Sequence, residues 1–224
     1  MHQQKSKKIL LYLFLFLIIG TLNNKNLNNI NFGKLNKISV YGMDEENNYK
    51  LAESLNVLKF ESLFFMNKNT LKGIIGSNNL VENFSVFKNY PSSLNIYIVK
   101  TKFLARIKKN NNNFYLGSNG KLIKVNDVKK DIPFVFGNFE IQDFFNLKKA
   151  IDKTSFQYDD IKNLFFFQSG RWDIETTSGV LIKLPRSNIE KALKLSIKVI
   201  DDGFQKDISK IDLRQKNQII LNGK

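Results

Sequence analysis

Residues 9–22 read ILLYLFLFLIIGTL, an uninterrupted apolar run that directly follows Lys5, Lys7 and Lys8. A short basic segment before an apolar run is typical of a signal peptide or a signal anchor. As a helix, the run covers roughly 21 Å at ~1.5 Å per residue, less than a hydrocarbon core of about 30 Å. The run therefore indicates that the N-terminus is directed to a membrane. Its length is compatible with either a cleaved signal peptide or an uncleaved anchor.

A cleaved signal peptide requires small residues at its cleavage site, whereas this run is followed by NNKN at residues 23–26. An uncleaved anchor is feasible because the long stems of Lys7 and Lys8 can snorkel and the bilayer can thin locally. A buried core helix is disfavoured, since the run has no polar stripe. We predict a transmembrane anchor at residues 9–22.

The orientation of this anchor follows from its flanking lysines. Three precede the run and three follow it, but the first three lie closer to it, and a long C-terminal region can be exported largely regardless of its charge. We predict residues 1–8 as a cytoplasmic tail and residues 24–224 as exported. Residues 23–36, rich in asparagine, are predicted as a linker.

The net charge of +15, from 35 basic and 20 acidic residues, raises nucleic acid as a partner. The basic residues are spread singly, and no nucleic-acid-binding motif accompanies them. Together with the excess of Asn, Ile and Phe, this pattern indicates a bias toward AT-rich codons. We therefore predict no nucleic-acid binding.

Catalytic and metal-binding residues are scarce in this sequence. The single histidine is His2 and cysteine is absent, which removes Ser-His-Asp, Cys-His and thiolate metal chemistry from the predicted folded region. Asp159 and Asp160 are adjacent, so on a strand their carboxylates point to opposite faces. We predict no catalytic residue, no cofactor and no metal, and a binding or scaffolding role.

Residues 37–101 predict a compact α+β unit in the order strand, helix, helix, strand, strand. Asp44 and Asn67 are candidate N-caps of the two helices, and Gly76 is a candidate end of the second. In residues 94–99 the side chains of Leu94, Ile96 and Ile98 alternate with polar or aromatic ones, which predicts one buried face.

Residues 102–224 predict a β-rich domain, mostly antiparallel, with two helices. Short strands are indicated at 104–108, 114–116, 122–125, 131–137, 161–167, 172–176, 180–184, 208–213 and 218–221. Helices are indicated near residues 141–151 and 187–204, the second with a capping box of Ser187 and Glu190.

The order of these segments resembles the FtsQ/DivIB family of bacterial cell-division proteins, over nearly the whole chain. The matching pieces are VYG at 40–42, LVE at 80–82 with Val86, YP at 90–91 leading to LNI at 94–96, GSNG at 117–120, Pro133 with Gly137, Trp172 with SG at 178–179, and DLR at 212–214. Gln215 follows where some relatives have tyrosine, so the resemblance implies nothing for that side chain.

The resemblance implies that residues 37–101 are a POTRA domain and that residues 102–224 are the family's β domain, both exported from the cell inner membrane at the division site. It further implies a non-enzymatic scaffold that recruits FtsB and FtsL, with other divisome proteins reached through the POTRA domain. A POTRA-bearing envelope transport or outer-membrane assembly factor is the alternative.

The last strand of the chain is the candidate partner-binding element. It has no successor to pair with, and an unpaired edge offers its N–H and C=O groups to another chain. We predict that a partner strand adds to this edge. The candidate residues are Asn217, Gln218, Ile219, Ile220 and Leu221, with Arg214, and Arg171 beside Trp172, available to acidic residues of the partner.

Overall fold

The computed structural model describes residues 2–22, 34–125, 131–201, 208–216 and 218–223. Most of the predicted linker, residues 23–33, lies outside the described residues, as does Asn217. The contacts divide the chain into two compact units, residues 1–100 and 101–224.

The N-terminal segment is one continuous helix, α1 (His2–Leu22), which includes both the predicted tail and the predicted anchor. Every large apolar side chain from Ile9 to Ile19 is at least 36% exposed, so this stretch of the helix has no buried face among the described residues. No helix among the described residues is both long enough and apolar enough to qualify as a membrane span.

The first unit contains strand, helix, helix, strand, strand, as predicted. Its elements are β1 (Lys37–Tyr41), α2 (Glu45–Ser54), a 3-10 helix (Leu55–Phe60), α3 (Lys68–Ser77), β2 (Val81–Asn89) and β3 (Ser93–Lys100). The strands form a sheet in the order β1-β3-β2, with β1 parallel to β3 and β2 antiparallel to it.

Helix starts in this unit follow the predicted caps. The side chain of Asp44 accepts a hydrogen bond from the Asn47 N–H at 3.1 Å, and that of Asn67 accepts one from Asn69 at 2.9 Å. Each bond satisfies an N–H that has no partner within the helix. The prediction for Gly76 was wrong, because α3 continues through Ser77.

The core of the first unit lies between its sheet and its helices. Leu94, Ile96 and Ile98 are buried there, as the alternation predicted. Leu35 is only 1% exposed in the same core, and Lys34 pairs with Ser62. The predicted linker therefore ends earlier than residue 36, since a single leucine in a polar stretch is enough to dock the chain.

The second unit is built on one large sheet. Its elements are β4 (Phe103–Lys109), β5 (Asn112–Gly117), β6 (Leu122–Lys124), β7 (Phe134–Phe136), α4 (Ile141–Asp152), a 3-10 helix (Tyr158–Asp160), β8 (Ile161–Phe167), β9 (Arg171–Thr176), β10 (Leu181–Lys183), α5 (Ile189–Asp201), β11 (Ile208–Asp212) and β12 (Ile220–Gly223).

These nine strands run in the order β12-β11-β10-β9-β8-β7-β4-β5-β6. Five neighbouring pairs are antiparallel, whereas β4–β7, β7–β8 and β10–β11 are parallel. Helix α5 makes the crossover between parallel β10 and β11, as parallel neighbours require. The sheet is thus mixed, with β6 and β12 at its two edges.

Helices α4 and α5 contribute to the core of this sheet. Phe144, Leu147 and Ile151 of α4 and Leu193 of α5 join the strand residues Trp172, Ile174, Ile182, Ile211 and Leu213 in one buried cluster. The predicted capping box of α5 was wrong. The helix begins at Ile189, and the carboxylate of Glu190 accepts from Lys194 at 2.7 Å.

Candidate partner-binding site

The final strand, β12, lies at the edge of the nine-stranded sheet, and among the described strands it pairs only with β11, in antiparallel register. It begins at Ile220, two residues later than predicted. Ile220 is 46% exposed, whereas Leu221 is half-buried and packs on the core. In this strand the side chain of Ile220 therefore faces solvent, and that of Leu221 fixes the strand to the core.

The direction of the backbone groups of β12 follows from its partners. The N–H of Leu213 donates to the carbonyl of Lys183 on β10 at 2.9 Å. Because N–H groups alternate along a strand, the backbone polar groups of Asp212 face β12, where Asp212 is paired with Ile220. The backbone of Ile220 therefore faces inward, and the N–H and C=O of Leu221 face the open edge.

A row of charged side chains crosses the sheet next to this edge, on the face opposite the core. The strand register places Lys183 of β10 between Asp173 of β9 and Asp212 of β11. Asp212 in turn stands opposite Ile220. Charged side chains of β9, β10 and β11 thus form a row that ends beside the edge strand β12.

Asp212 and Arg214 form an ion pair just beyond the end of β11. The Nε of Arg214 donates to both carboxylate oxygens of Asp212, at 2.8 and 3.0 Å, and Nη2 donates to the second oxygen. These bonds hold the pKa of the Asp212 carboxyl below its usual value. Nη1 donates to no described residue, so Arg214 retains donors for another carboxylate.

Arg171 and Asp173 lie on the same face of β9. The Arg171 guanidinium sits over the ring of Phe167 at 4.4 Å, and its Nε is 3.4 Å from an oxygen of Asp173 without forming a hydrogen bond. Burial raises the pKa of Asp173 despite the opposing charges of Arg171, Lys183 and Arg214.

Trp172 occupies the other face of β9. It is 2% exposed and packs against Phe166 and Phe139, with ring centroids at 4.8 and 5.7 Å. Its ring therefore holds β9 on the core and does not reach the surface. Arg171 lies three strands from β12, about 14 Å at ~4.8 Å per strand.

A cavity of about 680 Å³ adjoins the start of β12 and lies between the N-terminal part of α5 and the chain that leaves β11. We call it the groove. Its apolar lining includes Ala192, Leu195, Leu213 and Ile219, and its charged lining consists of Lys191, Arg214 and Lys216. Among the described lining residues, none is acidic.

The structure brings most of the predicted candidates together. Arg214, Gln218 and Ile219 line the groove, and Ile220 and Leu221 form the edge beside it. Lys191 was missed, because its helical position carried no signal for what packs beside it. No group of metal-ligating side chains occurs within the described ranges.

Residues 105–214 match the family model described as cell division protein FtsQ/DivIB, C-terminal. The chain is 23% identical over 198 residues to the cell division protein FtsQ of Rickettsia bellii (strain RML369-C), an alignment that covers 84% of this chain and 72% of the relative. A solved structure, the major extracytoplasmic domain of the trans isomer of the cell division protein DivIB from Geobacillus stearothermophilus, matches 48% of this chain and 98% of that domain, with 14% identity and a TM-score of 0.34.

Proposed function

Because this chain belongs to the FtsQ/DivIB family of cell division proteins, we propose that it is a non-enzymatic scaffold of the division machinery. In this proposal it recruits FtsB and FtsL and links early to late division proteins during septum assembly. The observation that carries the proposal is the open edge of β12 beside the groove.

The partner segment adds to β12 as a further strand. The N–H and C=O of Leu221 supply main-chain hydrogen bonds, which give affinity without depending on the partner's sequence. Ile220, with almost half of its surface exposed, offers an apolar contact on the face that carries Asp212. Main-chain pairing therefore fixes the position of FtsB on the sheet.

The groove selects the partner by charge. Its three cationic residues stand around an apolar floor, so the complementary segment is acidic at its rim and apolar on the side that enters. Arg214 is held in place by Asp212 and therefore loses little side-chain entropy on binding. We assign the acidic residues of FtsB to these cations.

Reversing one groove charge tests this assignment. Lys191 is exposed on α5 and lines the groove, and Lys191→Glu is expected to weaken binding of FtsB to the full chain at least about tenfold, as one lost charge pair does. Lys198→Glu is the matched control, since it makes the same charge change on the same helix outside the groove lining.

Binding is measured by titrating labelled FtsB at low and high salt. Equal affinities of the two variants would contradict docking in the groove. If neither variant nor the parental chain bound FtsB, recruitment itself would be wrong.

We also propose that α1 anchors the chain in the inner membrane. The exposed apolar side chains of this helix would otherwise face water, and burying each one removes about 1.5–3 kcal/mol of unfavourable hydration. The first unit is proposed to be a POTRA domain that contacts other divisome proteins.

Topology is tested with a reporter at the C-terminus. We expect alkaline phosphatase fused there to be active, because the proposed anchor exports everything that follows it. Green fluorescent protein at the same position serves as the control and is expected to stay dark when exported by the general secretion route. An inactive phosphatase with a fluorescent control would contradict both the topology and the scaffold role.

A further inference from the structure

The three-stranded sheet of the first unit has one face that none of the described helices of this unit covers. Helices α2 and α3 pack on the side of Leu94, Ile96 and Ile98. The strand register places the remaining side chains on the opposite face, which we call the open face: Ser39 and Tyr41 of β1, Asn95, Tyr97 and Val99 of β3, and Asn83, Ser85, Phe87 and Asn89 of β2.

Three aromatic rings cross the open face, one from each strand. Tyr41 stacks on Tyr97 with centroids at 5.2 Å, and Phe87 meets Tyr97 edge-on at 5.6 Å and 81°. Phe87 is 54% exposed and Tyr97 is 48% exposed. These two rings form the walls of a right-angled corner.

The middle of the open face is uncharged, in a chain with 55 charged residues among its 224, 35 basic and 20 acidic. The exposed charged residues of β1 to β3 are Lys37 at one end of β1, Glu82 at the bulge of β2 and Lys100 at the end of β3. The side-chain amides of Asn89 and Asn95 have no hydrogen-bond partner within the part of the chain that the structure describes. Each amide therefore offers two donors and an acceptor to a ligand.

A shallow cavity of about 510 Å³ is lined by the two corner rings and the two amides, Phe87, Tyr97, Asn89 and Asn95. This size falls within the range of small-ligand sites. The apolar ring faces attract C–H groups through their negative π-faces, and the amides suit hydroxyl or acetamido groups. A sugar ring presents both kinds of group on one small, uncharged body.

We propose that the open face binds an uncharged oligosaccharide, with one sugar ring against Phe87 and Tyr97 and its polar groups on Asn89 and Asn95. A charged peptide or nucleotide would find no counter-charge among the four residues that line this cavity. The inference rests on the first unit alone and does not depend on partner binding at β12.

The test uses the full chain in a detergent without a sugar headgroup, with N-acetylglucosamine tetramer and cellotetraose as probes. Saturation-transfer NMR is expected to show transfer from protein to ring protons of a probe. Phe87→Ala is expected to lower affinity roughly tenfold, and Asn95→Ala about fivefold, the value of one hydrogen bond of about 1 kcal/mol. Tyr49→Ala, which removes an exposed ring from α2, is the matched control and should leave affinity unchanged.

Two further readouts distinguish a lost sugar contact from misfolding and from attraction by charge. Circular dichroism should show Asn95→Ala folded, so that its loss of affinity reports a lost contact. Affinity should change less than about twofold between low and high salt, because the ligand carries no charge. Parental affinity in both site variants, or no transfer to either probe at about 10 mM, would overturn the proposal. If neither probe shows transfer, photo-crosslinking of Tyr97 to a division protein would assign the open face to protein docking.

Discussion

Leu221→Pro is expected to abolish the binding of FtsB while the nine-stranded sheet remains folded. The N–H of Leu221 faces the open edge, so proline removes a donor that the partner strand needs and that the sheet itself does not use. The ring of proline also occupies the space into which the partner backbone must approach. Binding is measured by titration of FtsB into the full chain.

The neighbouring residue supplies the contrast. Ile220 faces inward and pairs with Asp212, so Ile220→Pro is expected to lower the melting temperature by removing a bond inside the sheet. Leu221→Ala shortens the same side chain without removing the N–H and should keep binding within about threefold. If folded Leu221→Pro bound FtsB with parental affinity, strand addition at this edge would be wrong.

Leu213→Ala is expected to cost about 2–4 kcal/mol of the free energy of unfolding. Leu213 is 6% exposed, belongs to the core cluster of the second unit and lies between Asp212 and Arg214. Removing most of its side chain leaves a cavity between β11 and α5 that the fixed neighbours fill only in part. The melting temperature should fall by roughly 10 °C.

Two variants bracket this effect. Gln215→Ala, at an exposed position two residues later, should leave the melting temperature within about 2 °C. Leu213→Met conserves volume and should cost less than about 1.5 kcal/mol. An unchanged melting temperature in Leu213→Ala would mean that this segment does not pack as described.

The elements of the fold could be predicted from sequence wherever the determining interactions are local. Asp44 and Asn67 cap the helices that they were expected to cap, because a cap depends on two or three neighbouring residues. Alternation in β3 likewise identified its buried face. Such patterns are complete within a few residues.

The arrangement of the sheet could not be predicted in the same way. Strand β7 lies between β4 and β8 and runs parallel to both. The sequence of residues 134–136 does not indicate which strands will pair with it. Pairing between distant strands depends on the packing of the whole core. The burial of Asp173 could not be predicted for the same reason, because the residues around it belong to the neighbouring strands β8 and β10.

The candidate site was predicted in part. The final strand lies at a sheet edge, as predicted, whereas the groove requires α5 to pack beside residues 213–219, a contact that no local pattern encodes. Arg214 and Ile219 line this groove, and their role in partner binding stays a prediction. Trp172 was also named among the candidate partner residues, yet its alternation with Arg171 on β9 already places the two side chains on opposite faces.

The two edges of the large sheet differ, and this difference bears on whether copies of the sheet can pair edge to edge. If β12 of one copy paired with β6 of the next, the contact would be heterologous, with no rotation to close it, and copies would add indefinitely into a filament. Strand β6 has only three residues and ends in Lys124, features that discourage edge pairing. With its receptive edge at β12 and a blunted edge at β6, the proposed addition of a partner strand would occur once, because β6 would offer no site for a further copy.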